Sequence, residues 1–116
     1  MTAPSTTALS LTDLATEHLA KAHDAPAGRS ATTVYGGHEH SLRQTLIALV
    51  SGRRLDEHEN PGEATVHVLQ GRVTLASDAA SVDGAAGEVL VVPDRRHSLE
   101  ALEDSVVLLT VAKKLV

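Results

Sequence analysis

The 116-residue sequence predicts an all-β domain: one small antiparallel β-barrel entered through a short N-terminal helix. Three observations carry this reading. One stretch near the N-terminus has helical periodicity, a succession of short β-prone runs follows it, and turn-forming residues separate those runs. The length matches a single domain with one core. Residues 1–28 form a tail and amphipathic helix, and residues 29–116 form the barrel domain.

The helix comes first. From Leu11 to Ala22, the apolar residues Leu11, Leu14, Ala15, Leu19 and Ala22 recur at three- and four-residue spacing, which places them on one stripe. Ser10 is the expected N-cap, with Asp13 completing a capping-box pattern and adding negative charge to the first turn. Pro26 and Gly28 end the periodicity. Asp13, Glu17 and Lys21 on the polar side argue against a membrane surface, so the stripe is expected over a barrel opening or at a subunit contact.

After Gly28 the β-prone runs are Thr32 to Tyr35, Arg43 to Val50, Thr65 to Gln70, Arg72 to Ala76, Glu88 to Val92 and Ser105 to Val111. Gly36-Gly37, Ser51-Gly52, Asn60-Pro61-Gly62, Gln70-Gly71, Asp83-Gly84, Gly87 and Pro93-Asp94 supply the turns. No crossover helices intervene, which disfavours a parallel sheet. Val106 to Leu109 is apolar at every position, so this strand is expected to be buried on both faces, one toward the barrel interior and one beneath a second layer such as the helix or a partner subunit.

Composition narrows the function classes. Apolar residues make up 42% of the chain, with no Phe, no Trp and one Tyr, so the core must be built from Val, Leu, Ile and Ala. Ten Lys and Arg against 15 Asp and Glu give a net charge of -5, which offers nothing to a phosphate backbone, and no nucleic-acid partner is expected. The basic pairs Arg53-Arg54, Arg95-Arg96 and Lys113-Lys114 read as solvated or strand-edge charges. Absence of cysteine removes disulfides, thiolate ligands and thiol nucleophiles together. The opening MTAPSTTALS lacks the features of a secretory signal, and no run reaches the roughly 18 apolar residues of a membrane span. A cytoplasmic protein with no membrane partner is the expectation.

Seven histidines are the chemically informative residues. His58 follows an apolar strand within GRRLDEHENPG, and the two-residue period of an extended segment points His58 and Asn60 to the same side, where an imidazole and a carboxamide oxygen can both face a cation. Glu57, Glu59 and Glu63 cluster near the same turn and read as a solvated acidic rim, with acid-base pairing as the rival reading. His67, if Ala64 and Val66 face inward, projects to the other face and reads as an outer-face residue rather than a fourth ligand, unless a bulge changes parity. His38 and His40 in GGHEHS are either a His-x-His clamp or a rim pair, and His18 and His23 belong to the helix. No phosphate-binding loop, nucleophile elbow or zincin motif is present.

The segment GRRLDEHENPGEATVHVLQG resembles the first conserved motif of the cupins, and GEVLVVPDRRHSLEA resembles the second. Gly52, His58 and Gly71 match in the first; Asn60 stands at the position of its second histidine and Ala64 at that of its glutamate. Gly87, Pro93 and His97 match in kind in the second, where His97 sits one residue closer to the proline and Arg95 replaces a glycine. The resemblance runs roughly from Leu42 to Thr110 and points to small single-domain cupins of the cupin-2 type with degenerate metal motifs. It implies a jelly-roll barrel whose interior gathers three histidines and a glutamate around a divalent metal. Only His58 and His97 carry over, with Asn60 as an auxiliary oxygen donor. A weak site for Fe, Mn, Zn or Ni is one implication, because the lost carboxylate no longer offsets the metal's charge. A pair of hydrogen-bonded pocket histidines without metal is the other.

Two functions follow as expectations. One is a small-molecule-binding or regulatory module with a ligand in the barrel pocket. The alternative is a metal-dependent enzyme, an oxygenase or isomerase, acting on a small carbonyl- or carboxylate-bearing substrate. A homodimer is expected in either case, since a barrel this small gains by covering a sheet face or edge.

Overall fold

The computed structural model describes residues 6–58 and 62–113. Helix α1 spans Leu11–Asp24, and the Ser10 hydroxyl accepts the Asp13 N–H at 3.1 Å, the expected N-cap. Ala25, which precedes Pro26, is extended (φ -87°, ψ 139°) and ends the helix, as the steric demand of a following proline requires.

Nine strands follow among the described residues: β1 (Arg29–Tyr35), β2 (Leu42–Leu49), β3 (Arg54–His58), β4 (Gly62–Gln70), β5 (Arg72–Ser77), β6 (Ser81–Ala85), β7 (Val89–Val91), β8 (His97–Ala101) and β9 (Ser105–Lys113). They form two antiparallel sheets, one ordered β1-β2-β9-β4-β7 and the other β3-β8-β5-β6. Every β-prone run of the sequence became a strand, and three further strands appeared. β3 is charged at most positions, β6 carries Asp83 and Gly84, and β8 mixes polar and apolar residues, so none has the composition of a typical strand.

The chain passes between sheets at the tight Gln70-Gly71 turn. Gly71 has φ 83°, and a Cβ there would collide with the Asp104 carbonyl and the Ser105 hydroxyl. Ser105 is buried; its hydroxyl accepts the Arg72 N–H at 3.1 Å and lies 2.7 Å from the Glu103 carbonyl, locking the β4–β5 turn against the β8–β9 turn.

The expected barrel is a two-sheet sandwich: no ladder joins the sheets among the described residues. The reason is visible at one edge, where β7 is three residues long and runs toward Pro93, which has no N–H with which to extend a ladder. Ile47, Leu49, Val66, Val68, Val73, Leu75, Leu99 and Val107 fill the space between the sheets, a core without aromatics as the composition dictates.

The outer face of the five-stranded sheet is covered in part by α1. Ala15 and Ala22 of the helix pack on Leu46, Ala48, Val106 and Leu108. The expectation that the helix caps a barrel opening or a subunit contact is therefore corrected, whereas the helix is the second layer over β9, one of the two covers expected for that strand. Val107 and Leu109 face the sandwich interior, while Val106 and Leu108 lie under the helix. Small residues on the helix face permit this close approach to a sheet.

Candidate functional site

β8 begins at His97, directly after the Pro93-Asp94-Arg95-Arg96 connection, and its side chain is buried. The ring Nδ1 lies 2.9 Å from the Arg95 carbonyl. A carbonyl only accepts, so Nδ1 carries the proton and donates it, and in the neutral ring Nε2 becomes the nitrogen with the lone pair. The imidazole lines a cavity of about 20 Å³ between the sheets together with Ile47, Leu55, Val66, Leu75 and Leu109, and it is the one polar side chain among the described residues of that lining. Such a volume accommodates about one water or a bare cation, not an organic molecule. Around this cavity the described residues are mostly branched aliphatic side chains.

The backbone register then brings His58 to His97. Between β3 and β8, Leu55 pairs with Leu99 and His58 pairs with His97, so three steps along β3 match two along β8. This one-residue bulge lets an element whose inward residue is Leu55 place His58, three positions on, opposite a buried residue of the neighbouring strand. Without the bulge Glu57 would take that register position. Asn60 lies outside the described residues, as does Glu59. Ala64, half-buried, packs on the interior cluster with Val66 and Val68. His67 pairs with Leu108, which faces the helix side, and so has the outer-face position expected of it.

The other histidines serve local structure. His18, buried on α1, places Nδ1 2.7 Å from the Ser30 hydroxyl and so ties the helix to β1. His23 Nε2 lies 2.7 Å from a carboxylate oxygen of Asp104, whose other oxygen accepts the Ser51 N–H at 2.9 Å. The Ser51 bond first, and the His23 bond second, hold the Asp104 carboxyl below its ordinary value. His38 and His40 occupy the β1–β2 turn: the His38 carbonyl accepts from Lys113 Nζ, and His40 Nδ1 accepts the Gly37 N–H at 3.0 Å while its ring meets Tyr35 edge-on at 5.3 Å. Nδ1 of His40 is thereby committed to a turn rather than to a clamp. Sequence reasoning missed Ser30 and Asp104 as histidine partners, because those pairs join residues far apart in the chain.

Among the described residues, no group of three or more His, Asp or Glu side chains is placed to hold a metal ion. One buried imidazole with a fixed tautomer, and a second histidine opposite it in register, are what the fold supplies. Such a pair is an incomplete donor set beside the three or four protein ligands usual for zinc.

No protein-family profile and no curated protein sequence matches the chain. Solved structures do. A conserved protein of unknown function from Streptococcus pyogenes superposes with TM-score 0.70 at 27% identity, over 79% of this chain and 80% of that one. A cupin superfamily protein from Desulfitobacterium hafniense gives TM-score 0.68 at 18% identity over 74% of this chain and 78% of that one. An RmlC-like cupin protein from Desulfovibrio desulfuricans gives 0.64 at 26% identity over 72% and 81%. Two antiparallel sheets with this strand order, entered through one helix, thus have the cupin-superfamily β fold.

Proposed function

We propose that the chain is a small-molecule-binding or regulatory module that retains a weak divalent-cation site formed by His58 and His97, with Asn60 as a third donor. The observation that carries the reading is the bulged β3–β8 ladder, which sets His58 opposite a buried His97 whose Nδ1 is already engaged by the Arg95 carbonyl. A hydrogen bond from one ring nitrogen to a backbone carbonyl is the usual way a metal-binding histidine is oriented. Turnover is disfavoured by the donor set: Ala64 replaces a carboxylate, and two imidazoles with a carboxamide leave the charge of a divalent ion largely unbalanced. The module reading also draws on fold analogy, since a transcriptional regulator of the HTH_3 family from Vibrio cholerae contains the same fold, this chain spanning 52% of it at 21% identity. A homodimer in the cytoplasm remains part of the proposal.

The test is metal analysis of untagged protein, followed by titration with Zn, Ni, Mn and Fe. One weakly held equivalent is expected, lost in both His58→Ala and His97→Ala and tightened in Ala64→Glu, which restores an anionic donor. Tight native enrichment for one metal that survives His97→Ala would overturn the proposal in favour of a different, enzymatic centre.

A further inference from the structure

A second cavity opens on the side of β8 away from His58; its lining includes Ser77, the β5 register partner of His97, and Arg95, whose carbonyl meets the His97 ring. It is a cleft open to solvent, of about 240 Å³, between the end of the β5–β6 hairpin and the connection leading from β7 to β8, and its described lining shares only Leu75 with that of the interior cavity. Its existence follows from the short edge strand. Val82 pairs with Leu75 across the β5–β6 ladder and therefore lies on the inner face of its sheet, yet it is 48% exposed, because β7 stops before covering it. Val91 and Pro93 form the facing wall.

The polar groups at this cavity are few and mostly committed. Within the hairpin turn, the Ser77 N–H donates to the Ala80 carbonyl at 2.8 Å, and the Ser77 hydroxyl oxygen receives the Ala79 and Ala80 N–H groups at 3.3 and 3.4 Å. A polyol would find little to bond. One cation stands at the rim: Arg95, whose Nε reaches the Asp78 carboxylate of the opposite wall at 3.4 Å. Asp78 is largely exposed and Arg95 about half, so this ion pair is weak.

We propose that this cavity is a binding site for a small apolar monocarboxylate, with its hydrocarbon chain against Leu75, Val82, Val91 and Pro93 and its carboxylate on Arg95 in place of Asp78. The volume is about twelve times that of the one-water cavity beside His97, which suits an acyl chain of roughly six to eight heavy atoms. A dianion is disfavoured, because the single guanidinium stands beside Asp78. The site goes beyond the histidine pair and needs no cation.

Hexanoate and hexanol, titrated into the full chain with EDTA present and followed by amide NMR, test the assignment. Shifts are expected in Ser77 to Val82 and Val91 to Arg95. Hexanoate should bind about fivefold more tightly than hexanol, the factor that ~1 kcal/mol from a half-exposed guanidinium provides. Arg95→Gln should abolish that preference while leaving hexanol binding unchanged, and Asp78→Asn should strengthen hexanoate by removing the competing carboxylate. Equal binding of acid and alcohol, insensitivity to Arg95→Gln, shifts centred elsewhere, or no saturable binding would each overturn the proposal. Because EDTA removes the cation, none of these outcomes bears on the His58 and His97 reading.

Discussion

Replacing Leu46 by alanine tests how the helix is held, because Leu46 and Leu42 lie on one face of β2 with different cover. Leu46 is fully buried beneath α1, whereas Leu42, four residues earlier on the same face, is 42% exposed. Truncating a fully buried leucine removes its transfer free energy and leaves a cavity, typically 2.7–5 kcal/mol in total. Leu11, Leu14 and Leu19 pack on the same cluster beside Ala15 and Ala22 and can relax partly toward the gap, which puts the cost near the lower end, about 3 kcal/mol. For a chain of this size that is a fall of about 12 °C in Tm, taking ~4 °C per kcal/mol. Leu42→Ala should cost less than about 1 kcal/mol. Urea and thermal unfolding followed by circular dichroism, which sees helix and sheet together, give both numbers. Equal costs for the two variants would refute the placement of α1 on this face, and a Leu46→Ala transition in which helix signal melts before sheet signal would show that the helix is not part of one cooperative unit.

Three further outcomes are expected. Asp104→Asn should destabilise the protein near neutral pH and progressively less as pH falls below about 4, since a carboxyl held below its unfolded value stabilises above that value and loses the effect as it protonates; a difference that persists in acid would contradict this. Ser105→Ala should cost about 1–2 kcal/mol in urea unfolding, because the Arg72 N–H loses its acceptor in the turn. Gly71→Ala should cost more than Ser105→Ala, combining a strained positive φ with a backbone collision, and a neutral result would mean that the two turns do not pack as described.

The sequence was most legible where period and chemistry agree. Ser10, the apolar stripe of α1 and the residue before Pro26 marked a helix from both ends, and the all-apolar run Val106 to Leu109 announced a strand covered on both faces. What escaped was tertiary. The helix was one of two covers expected over β9, and choosing it over a partner subunit depends on Ala15 and Ala22 meeting Leu46 and Leu108, contacts that periodicity alone does not assign. β3 was absent from the β-prone runs because Arg54, Asp56 and Glu57 lack strand composition, although its segment was read as extended around His58 and an edge strand tolerates such charge.

The site was partly legible for the same reason. His58 and His97 were singled out by motif spacing, and the ladder does bring their backbones together, but by a bulge that no alternation pattern reveals. The tightness of the interior was hidden too, since whether Leu55, Leu75 and Leu109 leave room around His97 depends on side-chain packing across two sheets. Arg95 read as a solvated charge from sequence. Its position at the rim of an apolar cavity follows only from the shortness of β7.

The most direct test of the proposed site is the nitrogen-15 spectrum of the histidine side chains, recorded with and without zinc. His97 should appear as the Nδ1–H tautomer in the metal-free protein, and added zinc should move the Nε2 resonance of His97 and a ring resonance of His58 together, at one common saturation point. Zinc that moves His38, His40 or His67 while leaving His97 unchanged would contradict the account.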